Sequence, residues 1–433
     1  MKVKKDKIKL ITLGCSKNLV DSEFILAQLK SNDIEIVEDE SNAENVIINT
    51  CGFIEAAKQE SIDTIIRAVD LKAKGRIKSV YVAGCLSDRY KTELEKDIPE
   101  VDKYFGATDK PHTIFSILNE LGVDYKKNLI GERSLTTPNH FAYLKISEGC
   151  NNPCSFCAIP IMRGSHKSKP LPEILTEAQK LASKGVKELV IIGQDTTYWG
   201  FDLDKRRSLS HVLSELSKIK GIEWIRLMYA YPSGFPVDVI ETIKNTENIC
   251  KYIDIPIQHI TDNVLKSMRR GITKRNLINL LEKIRNEIPG VAIRTTLITG
   301  YPDETEKDYM ELSDFVKEFK FDRLGVFTYS NEDGTYAANI PDIIPHKEKI
   351  ARQKNLLDIQ REISIHKNKA LIGDVLKVLI DRKENDYFIG RSYKDAPEID
   401  QEIYINNTCL ITGEFYNVKI FDAEEFDLFG EII

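Results

Sequence analysis

The first third of the chain alternates short apolar runs with amphipathic stretches. Such alternation is typical of a parallel sheet covered by helices on both faces. The pattern predicts a domain over residues 1–137 with a doubly wound parallel sheet, within an α/β multidomain protein. The predicted strands are Ile8–Leu13, Val46–Ile48 and Val80–Val82, and the predicted helices are Ser22–Leu29, Glu55–Leu71 and Asp88–Glu95.

The same alternation resumes after a polar segment, Leu135–His140, and predicts a second domain over residues 138–368. Six strand–helix units indicate an open (β/α)6 partial barrel, in which functional residues follow the carboxyl ends of the strands. An open side suits a macromolecular substrate. The predicted strands are Phe141–Ile146, Glu188–Ile192, Trp224–Met228, Tyr252–Pro256, Ala292–Ile298 and Leu324–Thr328. The predicted helices are Leu171–Ser183, Leu209–Ile219, Val237–Asn245, Lys274–Glu287, Thr305–Phe319 and the long charged Pro345–Leu371.

The pattern changes again over residues 369–433. Here the apolar runs are short, alternate with polar residues and are separated by turns, which predicts a small all-β barrel. The predicted strands are Val375–Ile380, Tyr387–Arg391, Ile403–Ile405, Leu410–Thr412 and Val418–Phe421.

Composition places the 433-residue chain among globular proteins with a net charge of −6. The first apolar run is too short for a signal peptide, and no run reaches the roughly 18 apolar residues that span a bilayer. We therefore expect a cytoplasmic protein with no membrane partner. In that compartment the eight cysteines are ligands or reduced thiols rather than disulfides. The acidic charge argues against a partner held mainly through nucleic-acid phosphates.

Three cysteines lie within eight residues at Cys150, Cys154 and Cys157, which we call the loop triad. A four-iron cluster normally takes four thiolates. Three thiolates fit either a zinc site completed by a distant ligand or a cluster with one iron open to an exogenous ligand. The spacing, three residues and then two, resembles that of radical S-adenosylmethionine (SAM) enzymes, whose open iron binds SAM. No Cys or His follows at zinc-ribbon spacing, and the nearest candidate, His166, is interpreted as a substrate contact.

Each predicted N-terminal strand ends in a cysteine, and Cys15, Cys51 and Cys85 form what we call the N-terminal triad. Parallel strands deliver the residues after their carboxyl ends to one crevice. A lone Cys there is usually a small buried hydrophobe, but the threefold recurrence predicts a second three-thiolate metal site. The remaining cysteines, Cys250 and Cys409, are interpreted as buried free thiols.

Over its whole length the chain resembles the radical-SAM methylthiotransferases. The motifs that carry this resemblance are the loop triad and the segments Leu13–Ser22, Asn49–Ile54 and Gly84–Leu86. The resemblance implies two 4Fe-4S clusters, one at each triad, with SAM bound and cleaved at the loop triad and an auxiliary cluster that carries the sulfur. It also implies a TRAM-like C-terminal barrel and a low-potential electron donor. The sulfur donor is not assigned, and no catalytic residue is predicted apart from the cluster ligands.

The resemblance further implies a SAM pocket walled by residues at the ends of barrel strands. Taken alone, His259 is also interpretable as a core histidine with satisfied hydrogen bonds, and Arg294 as a buried ion pair. The five candidate SAM contacts are Gln194, Asp195, Gln258, His259 and Arg294.

The basic loop after the loop triad departs from the family at one position. Where members usually carry Ser-Arg-Pro, this chain has Ser168-Lys169-Pro170. Because lysine is a point charge rather than a forked donor, any bidentate contact to substrate or SAM at this position is in doubt.

Two branches of the family differ in substrate. One modifies an adenosine beside the tRNA anticodon, and the other modifies the β-carbon of an aspartate in the twelfth protein of the small ribosomal subunit. A tRNA-binding module should be basic, but Asp374–Ile433 contains 14 Asp plus Glu against 6 Lys plus Arg. We therefore expect a ribosomal-protein methylthiotransferase, with the tRNA enzyme as the alternative and a non-catalytic iron–sulfur scaffold as a third hypothesis. Local motifs that favour the same branch are Ser16-Lys17, Tyr229–Pro232, Ala396–Asp400 and Phe426–Glu431.

Overall fold

A computed structural model describes residues 7–107, 111–129, 131–406 and 409–433. The chain forms two compact units, one from the segment up to Thr136 with residues 148–151 and 158–180, the other from residues 137–147, 152–157 and 181–433. The predicted boundaries at 137 and 368 stay a prediction, since residues 369–433 share a unit with the six-stranded sheet. Within the described ranges, no helix has the length and apolar character needed to cross a membrane.

The N-terminal elements are β1 (Lys7–Thr12), α1 (Ser16–Ser31), β2 (Glu35–Ile36), β3 (Asn45–Thr50), α2 (Glu55–Ala73), β4 (Ser79–Gly84), α3 (Cys85–Asp97), β5 (Lys103–Tyr104) and α4 (Pro111–Glu120). The sheet is parallel with the order β2-β1-β3-β4-β5. Strand β3 is buried along its whole length, because Val46 and Ile48 pack in a cluster with Ile65 of α2 while Ile47 packs in another with Ile25 of α1. The doubly wound parallel sheet is confirmed.

The middle of the chain contains β6 (Phe141–Lys145), β7 (Ser147–Glu148), α5 (Ile159–Arg163), β8 (Lys167–Ser168), α6 (Leu171–Ser183), β9 (Glu188–Ile192), α7 (Phe201–Asp204), α8 (Leu209–Leu216), β10 (Trp224–Leu227), α9 (Asp238–Asn245), β11 (Ile249–Asp254), α10 (Asp262–Ser267), α11 (Lys274–Glu287), β12 (Ala292–Thr299), α12 (Glu306–Phe319), β13 (Arg323–Thr328) and α13 (His346–Lys369). Six strands form a parallel sheet in the order β13-β12-β11-β10-β9-β6. Strands β13 and β6 are its two edges, so the barrel is open as predicted.

The C-terminal strands are β14 (Val375–Glu384), β15 (Tyr387–Arg391), β16 (Glu402–Asn406), β17 (Phe415–Ala423) and β18 (Asp427–Ile432). They close into a barrel in the order β14-β15-β16-β18-β17. All neighbours are antiparallel except β16 and β18, which are parallel. The barrel interior is filled by residues such as Val378, Phe388, Ile403, Val418 and Leu428, which confirms the predicted all-β module.

Two details of this barrel differ from the sequence prediction. The predicted strand Leu410–Thr412 is not a strand, and the Ile411 side chain is 62% exposed. Conversely, β18 lies in a stretch for which no strand was predicted. Its Leu428 and Gly430 are buried, and they alternate with the outward residues Asp427, Phe429 and Glu431.

The connection between β15 and β16, residues 392–401, lies against the six-stranded sheet. The Tyr143 hydroxyl of β6 donates to Glu398 at 2.8 Å, and the Tyr252 hydroxyl of β11 donates to Asp400 at 2.7 Å. We call this segment the plug loop. The small barrel is therefore fastened to the large one by polar contacts with side chains of the sheet.

A buried group of charges, which we call the inter-barrel cluster, lies beside the plug loop. Arg391 of β15 lies 2.8 Å from Glu188 of β9 and 2.6 Å from Asp381 of β14. Glu188 also accepts from Arg226 of β10 at 2.7 Å, and His140 lies 2.8 Å from Asp381. Burial raises the pKa of Glu188, but the two arginines outweigh it and lower that pKa below its ordinary value.

Candidate iron–sulfur sites

The N-terminal triad lies at the carboxyl edge of the first sheet. Strands β1, β3 and β4 are neighbours in that sheet, and they lead to Cys15, Cys51 and Cys85 respectively. Cys15 is the N-cap residue of α1, and Cys85 is the first residue of α3. The structure thus brings together the three thiols that the sequence placed on one edge, beside two helix N-termini that favour negative charge.

Two glycines allow the three loops of this triad to approach closely. Gly14 has φ +87°, and a Cβ there would lie 2.5 Å from the Cys51 Cβ and 2.8 Å from its Sγ. A Cβ at Gly52 would lie 2.8 Å from the Leu86 Cα. Any side chain at either position would push the cysteine loops apart.

Two asparagines fix the strand ends that carry the triad. The Asn18 amide donates to the carbonyls of Leu13 and Thr50, each at 2.9 Å. The Asn49 amide donates to the Asn18 carbonyl at 3.0 Å and to the Ser22 hydroxyl at 2.9 Å. Sequence reasoning assigned no role to these residues. The available signal for Asn49 was its place directly after the apolar run Val46–Ile48, whereas Asn18 lies in helix α1 without such a signal.

The chemistry of the thiols favours a cluster. Burial raises the pKa of Cys51, and it raises the pKa of Cys85 to about 12, so both are neutral thiols unless a metal deprotonates them. Among the described residues, no three His, Cys, Asp or Glu side chains are arranged to hold a single metal ion. A donor set made of cysteine thiols fits an iron–sulfur cluster, in which each thiolate binds a different iron.

Backbone hydrogen bonds hold the last part of the loop triad. The Cys157 amide donates to the Cys154 carbonyl at 3.2 Å and forms a turn. The Ser155 amide donates to the Met268 carbonyl at 3.1 Å, and the Ser155 carbonyl accepts from Ala337 at 2.7 Å. The loop is therefore fixed by the segments that follow α10 and β13.

The side chain of Cys154 has two polar neighbours. Arg270 Nη1 donates to the Cys154 Sγ at 3.2 Å, and the Tyr231 hydroxyl lies 3.4 Å from the same sulfur. Arg270 also donates to the Pro256 carbonyl at 2.5 Å, and its guanidinium lies 4.3 Å from the Tyr231 ring centroid. Such outer contacts orient ligands and tune the metal group that they hold. Sequence analysis did not identify Arg270.

Cys150 and the basic loop are held together by local hydrogen bonds. The Cys150 amide donates to the Gly164 carbonyl at 3.1 Å, and the His166 amide donates to the Asn151 side chain at 2.9 Å. His166 is buried, with its Nε2 3.1 Å from the Ser168 hydroxyl. In the structure its contacts are with this loop, whereas the sequence interpretation made it a substrate contact.

Among the SAM candidates, Asp195 holds the start of the segment that carries Cys154 and Cys157. Its carboxylate accepts from the Asn152 amide at 2.8 Å and from the Thr197 hydroxyl at 2.6 Å. Gln194 directly precedes it after β9. The side-chain oxygen of Gln258 is buried and has no hydrogen-bond partner in the described part of the chain, which leaves it free to accept from a ligand.

The other two SAM candidates have protein partners. His259 is fully buried, its Nδ1 accepts from the Thr261 amide at 3.2 Å, and its Nε2 lies 3.6 Å from Glu304. Arg294 donates to Asp254 at 2.9 Å. The Arg294 contact matches the simpler interpretation as an ion pair, whereas the buried Nε2 of His259 has no hydrogen-bond partner in the described part of the chain. SAM contact at either residue stays a prediction.

Lys169, the departure from the family pattern, lies in a buried ion-pair network. It pairs with Glu177, which also accepts from Arg133 at 2.8 Å. Burial raises the pKa of Glu177, but the two cations outweigh burial and lower that pKa. The lysine thus has an internal partner.

The two remaining cysteines differ from each other. Cys250 is buried, as expected, and burial raises its pKa to about 12. Cys409 is exposed, so its interpretation as a buried thiol was wrong. It follows β16 and precedes the turn that was mistaken for a strand.

Three family models match the chain in sequence order. Residues 7–106 match "Uncharacterized protein family UPF0004", residues 144–316 match the radical SAM superfamily, and residues 372–433 match the TRAM domain. These matches confirm the predicted kinds of domain, including the TRAM-like barrel.

Curated relatives match over nearly the full length. The chain is 53% identical to a protein of Christiangramia forsetii, with 99% of this chain and 95% of the relative covered. It is 52% identical to one of Chloroherpeton thalassium, with 100% of both chains covered. A protein of Bacteroides thetaiotaomicron is 48% identical, with 100% of this chain and 99% of the relative covered. All three are named ribosomal protein uS12 methylthiotransferase RimO.

The chain belongs to the RimO family. RimO proteins are radical SAM methylthiotransferases, so the chain uses SAM and a 4Fe-4S cluster. The branch of the family that the sequence analysis favoured is thereby confirmed.

Solved structures extend the likeness in fold beyond the RimO family. The radical SAM methyltransferase TsrM from Kitasatospora setae, with cobalamin and a [4Fe-4S] cluster bound, aligns with a TM-score of 0.57 at 12% identity over 77% of each chain. The cobalamin-dependent radical enzyme OxsB aligns with a TM-score of 0.51 at 13% identity over 82% of this chain and 56% of the other. At these identities the likeness concerns the fold alone.

Proposed function

We propose that the chain adds a methylthio group to the β-carbon of an aspartate in uS12, the twelfth protein of the small ribosomal subunit. The observation that carries this proposal is 48–53% identity to relatives of that activity over 99–100% of the chain. The enzyme acts in the cytoplasm, where small-subunit proteins are made, and needs a low-potential electron donor. The sulfur donor is left unassigned.

The two triads hold one 4Fe-4S cluster each. When bound, the loop-triad cluster and SAM supply the radical that activates an unactivated carbon–hydrogen bond, which ordinary acid–base side chains do not provide. The N-terminal triad holds the auxiliary group that provides the sulfur. Three thiols on adjacent strand ends, two of them buried, support this second assignment.

The residues around SAM divide into two roles. Gln194 and Gln258 contact SAM directly, and the buried, unpartnered Gln258 oxygen supports this. Asp195 positions the segment that carries Cys154 and Cys157, through Asn152. His259 and Arg294 line the pocket walls, where His259 Nδ1 accepts from the Thr261 amide and Arg294 donates to Asp254.

Substrate recognition uses the exposed acids of the small barrel. Some of its 14 acids are internal: Asp395 is buried, Asp381 and Asp400 are partly buried, and all three pair with arginines. Its exposed acids include Asp422 and Glu424 near the end of β17, and Glu425 and Asp427 beside them are partly exposed. A basic ribosomal protein complements this surface, whereas the tRNA backbone is repelled by it. The four acids of this surface are Asp422, Glu424, Glu425 and Asp427.

Neutralising these four acids to Asn and Gln should slow association with uS12 and flatten its dependence on salt, because electrostatic steering acts mainly on the association rate. SAM cleavage without substrate should be unchanged. Stopped-flow binding at several salt concentrations measures the effect. If the variant binds uS12 as fast as the wild type and binds tRNA more tightly, the substrate is tRNA.

The decisive experiment is mass spectrometry of uS12 and tRNA after anaerobic incubation with reconstituted enzyme, SAM and a low-potential reductant. The proposal expects the methylthio group on uS12 only. An enzyme with Cys15, Cys51 and Cys85 replaced by Ala should contain about half the iron, as expected for one cluster instead of two, cleave SAM and leave uS12 unmodified. Modified tRNA with unmodified uS12 would overturn the substrate, and an unchanged iron content would overturn the second cluster.

A further inference from the structure

A buried arginine reaches from the segment after the loop triad to the N-terminal triad. Arg163, the last residue of α5, donates its Nε–H to the Cys85 Sγ at 3.2 Å. The same guanidinium donates to Asp21 at 2.7 Å, to Asn18, and to Glu148 at 3.4 Å. All four of these partners and Arg163 belong to the same compact unit.

These contacts orient the guanidinium toward the sulfur. Asn18 is itself held by the carbonyls of Leu13 and Thr50, so its side-chain oxygen presents a fixed acceptor to Arg163. Arg163 is 4% exposed and Cys85 is 6% exposed. In such a dry environment an N–H donor and a positive charge act on the sulfur far more strongly than they do in water.

We propose that Arg163 sets the reduction potential of the cluster held by the N-terminal triad. Reduction adds negative charge to the cluster, and hydrogen bonds to its sulfurs together with nearby cations stabilise that charge. Arg163 therefore raises the potential and keeps the cluster reducible. The inference rests on the proposed function, because it requires a cluster at this triad.

An arginine at position 163 suits this role better than a lysine would. An arginine presents Nε–H in one fixed plane with its two Nη groups, so it can bond Cys85, Asn18 and Asp21 at once. A lysine keeps the charge but loses the directed N–H donor. Arg270 provides the loop triad with a comparable donor at Cys154, also at 3.2 Å, so each triad has its own arginine.

The test uses the full-length chain with the loop triad replaced by Ala, reconstituted with iron and sulfide, so that only the auxiliary cluster remains. EPR-monitored potentiometry measures the ratio of reduced to oxidised cluster at a fixed potential. Arg163→Met should lower this ratio about tenfold, a shift of about 59 mV to more negative potential for one electron. Arg163→Lys should give a smaller shift in the same direction.

Arg133→Met is the matched control. Arg133 is also a buried arginine of the same unit, but its partners are Glu23 and Glu177. Arg133→Met should therefore leave the reduction potential of the auxiliary cluster unchanged. If Arg163→Met and Arg163→Lys both keep the wild-type potential, the inference is overturned while the proposed cluster stands.

If the chain with the loop triad replaced by Ala and Arg163 intact bound no iron, the N-terminal triad would hold no cluster. That result would overturn the proposed source of the sulfur rather than the role of Arg163. If Arg163→Met alone fails to bind iron, Arg163→Lys decides: a negative shift supports the inference, and a wild-type potential overturns it.

Discussion

Replacing Arg391 by Met should destabilise the second unit strongly, because it removes the centre of the inter-barrel cluster. The arginine is 2% exposed and lies against two carboxylates, Glu188 and Asp381. Breaking a buried ion pair costs about 3–5 kcal/mol, since it leaves an uncompensated charge in a dry site. Each carboxylate keeps one other partner, Arg226 or His140. We therefore expect Arg391→Met to lower the free energy of unfolding by about 3 kcal/mol, the low end of this range.

Arg382→Met is the matched control in the same barrel. Arg382 also pairs with two carboxylates, Glu402 and Glu384, but its side chain is 44% exposed. Exposed pairs of this kind contribute about 0–1 kcal/mol. The control should therefore lose much less stability than Arg391→Met.

Urea unfolding followed by tryptophan fluorescence measures the difference. Both tryptophans of the chain, Trp199 and Trp224, are buried in the second unit. The Trp224 ring lies 4.8 Å from that of Phe415 in the small barrel, so its emission reports on the junction of the two barrels. If Arg391→Met lost no more stability than Arg382→Met, the inter-barrel cluster would not hold the barrels together.

Three further outcomes are expected. Gly14→Ala should reduce iron content by about half, the share of one of two clusters, because its Cβ would lie 2.5 Å from that of Cys51; unchanged iron and absorbance would contradict this. Asp195→Ala should slow SAM cleavage by about tenfold, as loss of an outer-shell partner does, since it releases Asn152; circular dichroism should show an unchanged fold. Stability to urea should fall as pH drops below the ordinary glutamate pKa of 4.5, because Glu188 has a lowered pKa when folded and the unfolded chain therefore binds the proton more readily. A urea midpoint that stays constant between pH 7 and pH 4 would contradict it.

Local pattern was enough to predict most of the architecture. Strand Glu188–Ile192, for example, carries the apolar run Leu189–Ile192, and the structure places this strand at the predicted residues. The missed strand β18 carries Asp427, Gly430 and Glu431 among its six residues. Its strand character comes from pairing with two strands, antiparallel with the neighbouring β17 and parallel with β16. The second pairing is a long-range contact that no local window contains.

The same contrast between local and long-range features applies to the two cysteine triads and their partners. The cysteines could be identified because their spacing and their place after apolar runs are local features. The partners of those cysteines could not, since Arg163 is 78 residues from Cys85 and Arg270 is 116 residues from Cys154 along the chain. Such pairs exist only once the strands have assembled.

The plug loop has a consequence for how this protein could be recombined with its relatives. The small barrel is one continuous stretch of sequence, which suggests that it could be exchanged between relatives. However, its Glu398 and Asp400 accept hydrogen bonds from tyrosine hydroxyls of the large barrel. A chimera that received a foreign C-terminal barrel without equivalent acids would expose Tyr143 and Tyr252 to an empty, polar cavity. A working chimera must therefore take the plug loop and its two tyrosine partners from the same parent protein. More than a hundred residues separate these partners in the chain.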